Sequence, residues 1–185
     1  KKDSKKPVAE NVAEQNQDIN EGWDIIKPAI VKFDSYDGDR ILESGQGFFI
    51  AENLIVTTYS LVSRANKIVF TPIDGNIKYT ANKFVAVDRI NDIIILYTDS
   101  VKRKPVELYD GIVPNSAKPM YLTDASTKAI QLFTGKVLNL TTAKGTKLYR
   151  ITNRVNKSNF GMPIFVSNKQ SIGIAFSSVV NYEMQ

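Results

Sequence analysis

From residue 29 onward this chain is written in short runs rich in β-branched and aromatic residues, about eleven of them, each bounded by turn-forming residues. The runs fall at 29–33, 47–50, 54–58, 67–71, 83–87, 93–97, 120–122, 136–140, 147–152, 163–166 and 171–176. Asp37-Gly38, Asp74-Gly75, Asp110-Gly111, Lys144-Gly145 and Ser167-Asn168 punctuate them with dipeptides that favour tight turns. No stretch carries a sustained helical period and no internal repeat is visible, so the pattern predicts an all-β barrel or sandwich. The first twenty residues differ. They are polar, rich in Lys, Glu, Gln and Asn, and read as a tether. Residues 21–27 have enough apolar content to dock as a short helix, which Pro28 is expected to end.

With 43% hydrophobic residues over 185 positions, the chain can bury a sizeable core without staples, and it has no cysteine with which to make one. The net charge of +5 is not a nucleic-acid footprint: four lysines sit within the first six residues and the rest are interspersed with acids. No apolar run approaches the roughly 20 residues that span a bilayer, and no signal peptide is visible. A chain that opens on Lys1 rather than Met is expected to be a processed product or a piece of a longer chain. Asp37, Asp39, Asp88 and Asp110 lie scattered in turns without calcium-loop spacing, so no metal is assigned, and nothing calls for a cofactor.

Four blocks of sequence carry a likeness. Gly45-Gln46-Gly47-Phe48-Phe49-Ile50 followed by Leu54-Ile55-Val56-Thr57-Thr58 resembles the opening of the first barrel in trypsin-like (chymotrypsin-fold) serine proteases, especially those of the HtrA/Deg type. Asp74-Gly75 with residues 79–88, and then Asn91-Asp92-Ile93-Ile94-Ile95-Leu96, resemble that family's next segments. Ser158-Asn159-Phe160-Gly161-Met162-Pro163 falls where the family has its nucleophile loop, and Ser171-Ile172-Gly173-Ile174 resembles the strand after it. Gly135-Lys136-Val137 is similar to the segment between the barrels. The likeness runs in order from about residue 23 to residue 179.

What it implies is a fold of two six-stranded antiparallel β-barrels, at about 29–97 and 105–178, with a short N-terminal helix. The domain plan is a tether at 1–20, helix and first barrel at 21–100, and second barrel at 101–185. Carried over residue by residue, the catalytic triad is degenerate: Ser60 stands for the histidine, Phe160 for the serine, and Asp92 alone matches. The chain has no histidine at all, so Asp92 has no imidazole to orient. Ser158 and Met162 replace glycines that shape the oxyanion turn, which puts that turn in doubt. A dyad of Lys157 and Ser158 fails because neighbours on an extended chain point to opposite faces. Lys102-Arg103-Lys104 reads as a solvated charge run.

The expected role follows from this. The chain reads as a catalytically inactive protease homologue, not an enzyme, that binds a peptide or protein or serves as a scaffold, with the cell envelope, periplasm or exterior as its expected location. The alternatives are a purely structural domain of a larger envelope protein, or a hydrolase with a non-standard nucleophile. Asp92 is expected to cap nearby amides, with Ser60 satisfied by it. The candidate peptide-binding residues are the edge strand Ala175, Phe176, Ser177 and Ser178 with Asn159 and Phe160 beside it. An open cleft favours binding and a closed one favours the structural role.

Overall fold

The structure, a computed structural model, describes residues 23–81, 83–111, 113, 120–122, 132–143, 146–152, 155, 157–165 and 170–176. The tether expected at 1–20 lies outside them. Residues 23–26 form one helical turn that runs into the 3-10 turn Lys27–Ala29. The α-helical turn stops at Ile26, just ahead of Pro28, which itself sits in the 3-10 turn. Ile26 and Ala29 are buried and seat this segment on the core.

Seven strands follow: β1 (Ile30–Asp37), β2 (Arg40–Ala51), β3 (Leu54–Thr58), β4 (Lys67–Pro72), β5 (Tyr79–Thr80), β6 (Lys83–Asp88) and β7 (Ile93–Tyr97). They make one antiparallel sheet in the order β5-β4-β1-β2-β3-β7-β6. Its two outer strands, β5 and β6, are separated in sequence only by residues 81 and 82. The sheet thus curls until one segment, 79–88, pairs with β4 at its start and with β7 at its end. One face carries Phe33, Phe49, Phe70, Ile55, Ile94 and Leu96 and the opposite face Ile30 and Phe48, all essentially without solvent contact. Burying each such side chain stabilises the fold by about 2–3 kcal/mol. The Phe70 ring meets Phe33 at 5.9 Å and Phe49 at 6.2 Å. The second contact is edge-on, which sets the positive ring edge against the negative ring face.

The first half of β2 is longer than its sequence suggests. Ile41-Leu42-Glu43-Ser44 alternates poorly, yet β1 pairs with it from Ile30↔Phe48 out to Asp37↔Arg40. The buried Ser35 hydroxyl helps hold this polar stretch, because it both donates to the Glu43 carbonyl and accepts the Glu43 amide, each at 3.2 Å.

The second half contains β8 (Met120–Leu122), β9 (Leu132–Thr134), β10 (Val137–Ala143), β11 (Thr146–Ile151), β12 (Pro163–Phe165) and β13 (Ser171–Ile174). One sheet runs β13-β12-β8-β9 and the hairpin β10-β11 forms another. Gly135 and Lys136 alone separate β9 from β10, so these two are one bent run, just as β5 and β6 are. The all-β antiparallel class expected from the sequence is the class observed. No helix among the described residues is long and apolar enough to cross a membrane.

The charge run at 102–104 differs from its expectation as a purely solvated loop. The Arg103 amide donates to the Glu52 carbonyl at 2.9 Å, and its guanidinium meets the Asp74 carboxylate at 2.7 Å with both side chains three-quarters covered. Lys102 pairs only loosely with Glu52, at 3.7 Å in full solvent. Arg103 therefore straps the exit of the first sheet to the turn after β4. Arg103→Ala is expected to lower stability by about 1 kcal/mol, in the upper range for a surface pair, with a coupling to Asp74→Ala in a double-mutant cycle of urea melts. The corresponding change at Lys102 should be neutral within about 0.5 kcal/mol.

Candidate functional site

Position 60 is presented by a four-residue helical turn, Tyr59–Val62, directly after β3. Thr58 stands at its N-cap but makes no capping bond with its side chain. The cap comes from across the sheet instead. The Asp92 backbone carbonyl accepts the Tyr59 amide at 3.0 Å, while its carboxylate accepts the Ser60 amide at 2.6 Å and the Ser60 hydroxyl at 2.8 Å. A carboxylate there also suits the positive end of the turn. The expectations that Asp92 caps amides and that Ser60 is satisfied by it describe this geometry.

Asp92 reaches this place through a turn that its own neighbours build. The Asp88 carboxylate accepts the amides of Ile90 and Asn91, each at 3.0 Å, and the Asn91 side-chain amide. The Asn91 side chain does most to hold the Asp88 carboxyl below its ordinary value, followed by the Asn91 amide. Because that value is depressed in the fold, the contribution is complete above the usual carboxylate range and is lost as the pH falls through the folded value. Asp92 itself adopts φ 55°. This is a left-handed conformation that aspartate tolerates better than most residues.

Position 160 lies in a second turn. Lys157–Asn159 is a 3-10 turn, the Phe160 amide donates back to the Lys157 carbonyl at 3.1 Å, and the Met162 amide donates to the Asn159 carbonyl at 3.1 Å. Gly161 has φ 82°, and a Cβ there would overlap the Gln46 carbonyl oxygen. Only glycine fits. The turn is clamped by Gln46 of β2. Its backbone amide donates to the Phe160 carbonyl at 2.8 Å and its buried side chain donates to the Ser158 carbonyl at 3.1 Å. At Gly45 an added Cβ would meet the Phe160 carbonyl oxygen at 2.9 Å and a Leu61 methyl at 3.0 Å. The Ser60 turn and the Phe160 turn thus converge on one glycine. The Phe160 amide is thus taken up within its own turn.

Between the halves opens a cleft of about 480 Å³. Residues 91–93 line it from the first half, Leu148, Tyr149 and Ile151 from β11, and residues 172–176 from β13 and its continuation. Of the candidate binding residues, Ala175 and Phe176 line this cleft. Asn159 is buried beneath the Phe160 turn, Phe160 is half-buried, and neither is among the lining residues. Ser177 and Ser178 lie outside the described residues. The sequence reading did not single out Tyr149 or Leu148; their alternation on a strand was visible, but the cleft they face was not. Among the described residues no group of acidic side chains could hold a metal ion.

No protein-family profile matches the chain, and a search of curated proteins returns no match. Solved structures do match. The active form of the Rv3671c protease from M. tuberculosis is 18% identical with a TM-score of 0.76, over 98% of this chain and 84% of that one. The inactive form of Rv3671c protease is 18% identical with a TM-score of 0.75, over 88% and 84%. Deg5 is 19% identical with a TM-score of 0.73, over 87% and 85%. The expectation that this chain is not an enzyme is corrected by these likenesses: the structures that share its fold are serine proteases, one of them solved in its active form, so the exclusion of enzymes does not stand. What the residues show is narrower. The sequence has no histidine, so the chain's own side chains do not assemble an imidazole-assisted triad. Two measurements check how the site is built in its place.

Asp92→Ala removes both bonds to Ser60 and places alanine at a left-handed position, so it should cost about 2–3 kcal/mol in urea unfolding, whereas Asp92→Asn keeps the conformation and should cost about 1 kcal/mol. The Thr58 hydroxyl is buried without a hydrogen-bond partner among the described residues. Thr58→Val, nearly isosteric, should therefore be neutral or stabilising by about 1 kcal/mol, and a loss above that size would show a hidden partner. Identity as low as that of the matched structures carries architecture, and chemistry has to be argued from the site. The chain has the fold of the trypsin-like serine proteases.

Proposed function

We propose that this protein binds an extended polypeptide in the cleft between its two halves, along residues 172–176. The observation that carries the reading is that the cleft lies beside a strand edge that, from Ile172 onward, no described residue pairs with on its outer side. Ala175 donates to the Met162 carbonyl at 2.8 Å and accepts the Gly161 amide at 2.9 Å, so its backbone faces the two residues that lead into β12. Backbone groups alternate along a strand, which turns those of Ile174 and Phe176 toward the cleft. Pro163, which has no N–H, sits opposite Ile174 and is tolerated there because that pair needs no donor from it. An extended ligand can add to such an edge with its main chain, while the apolar walls select side chains.

The openness of the cleft favours this reading over a purely structural role. Polypeptide as the ligand class is supported by the shared fold with proteases.

Reduced, carboxymethylated α-lactalbumin, an unfolded polypeptide, serves as the probe in fluorescence polarisation, with its fragments read by mass spectrometry in the same samples. Phe176→Pro removes the outward amide as well as the ring, whereas Phe176→Ala removes the ring alone. The proline variant is expected to bind about fivefold more weakly than the alanine variant, the worth of one hydrogen bond of about 1 kcal/mol. Equal affinities of the two variants would sink the reading, as would an absence of binding by the unaltered chain.

A further inference from the structure

The strand β6 keeps its apolar side chains in water. Among the described residues ten large apolar side chains are exposed, and four of them, Phe84, Val85, Val87 and Ile90, fall on β6 or in the turn just after it. All six residues of β6 are exposed, on both faces. Phe84 stands across from Leu96 and Val87 across from Ile94, so they share the face that those two bury, yet Phe84 is 61% and Val87 45% exposed. An apolar stripe on such a strand marks a contact surface rather than a core.

The stripe is bounded by opposite charges, Lys83 at one end and Asp88 at the other. They lie roughly 16 Å apart at about 3.3 Å per residue, too far to meet within one chain. Neither is ion-paired among the described residues. The Lys83 ammonium lies 5.8 Å from the centre of the Tyr97 ring, and the Asp88 carboxylate takes neutral N–H donors from Ile90 and Asn91. In an antiparallel pair, opposite residues share a face, and on an unbroken strand Lys83 and Asp88, five apart, would lie on opposite faces. A bulge removes that obstacle. Val85 has no partner on β7, so Lys83 and Asp88 both fall on the face of Tyr97 and Ile93, while Phe84 and Val87 fall on the other. The pattern of faces, charge and apolar bulk is thereby complementary to its own reverse, with its centre at Val85-Ala86.

We infer that β6 is a self-association surface, on which a second copy of this chain lays its own β6 antiparallel across a twofold axis at Val85-Ala86. This arrangement sets Lys83 against Asp88 of the partner copy and Phe84 against Val87 of the partner copy, twice each. A parallel arrangement sets like charges together. Charge also decides against the other common taker of an exposed apolar stripe, an anionic lipid surface, because Asp88 would face the headgroups. Six residues on each side make less than a standard interface, so the dimer is weak, half-formed at roughly 10–100 µM. The contact is independent of the cleft.

The test is sedimentation equilibrium of the full chain, joined to disulfide trapping, for which the absence of native cysteine leaves no background. The unaltered chain is expected to dimerise, and Lys83→Glu and Phe84→Ser should each weaken the dimer at least tenfold. Both positions are exposed, so the melting temperature of dilute samples should stay unchanged; should Phe84→Ser unfold the chain, Lys83→Glu and the trapping decide. Ala86→Cys, next to the axis, should form a disulfide dimer at least tenfold faster than Ile41→Cys, which is exposed on β2. A monomer at 500 µM would overturn the inference. So would a dimer that Lys83→Glu leaves intact, or equal trapping at positions 86 and 41. Vesicles of phosphatidylglycerol and phosphatidylcholine are tested alongside. Binding of a monomer to them, lost in Phe84→Ser, would assign the stripe to a lipid surface and overturn the second copy.

Discussion

Gln46 is the contact on which the two halves depend. It is buried between two glycines in the middle of β2, and from there it reaches a turn 112 residues further along the chain, donating its backbone amide to Phe160 and its side-chain amide to Ser158. Its own carbonyl accepts the Thr57 hydroxyl at 2.6 Å, so β3 braces the same residue. A polar side chain this deep costs free energy unless every group is paired, and paired it fixes one arrangement of its surroundings. The flanking glycines serve the same end. At Gly47 an added Cβ would meet the Phe33 ring at 2.5 Å, and at Gly45 it would meet the Phe160 carbonyl.

The remaining polar contacts across the site follow a similar logic of fixed backbone rather than mobile side chains. Asp92 supplies a backbone carbonyl and both carboxylate oxygens to the turn that carries Ser60. The Asp88 turn that presents Asp92 is linked in addition to the second half, since the Thr146 hydroxyl is hydrogen-bonded to the Asn91 side chain. The hairpin β10-β11 is thereby tied to the first sheet at the mouth of the cleft, and the cleft has a fixed wall on that side.

The cleft and the bent strands express one geometric fact: a strongly curled sheet of about six strands either closes or leaves an edge. In the first half closure is achieved within residues 30–97, by a segment that pairs with β4 and then with β7. In the second half the described residues leave β11 and β13 facing each other across apolar walls. Unpaired edges next to apolar surface are where extended polypeptide binds most readily, and this is the physical content of the functional reading.

Local sequence was sufficient for much of this. Runs such as Leu54–Thr58 and Ile93–Tyr97 are β-branched and apolar enough to be strands in any context, and the all-β class follows from their number and spacing. The absence of histidine is also a matter of sequence alone. Tertiary structure decided the rest. The polar first half of β2 became a strand because β1 pairs along it, and Arg103 left solvent because Asp74 lies across from it. Likewise the Phe160 amide turned inward to Lys157, and the alternation of Ile174, Ala175 and Phe176 between sheet and cleft was set by where β12 lies. Propensity acts over a few residues, whereas these outcomes depend on partners that no local pattern records. Ser35 holds Glu43 from the neighbouring strand, and Gln46 holds Ser158 from the far end of the chain, because the folded sheet alone brings them within hydrogen-bonding reach.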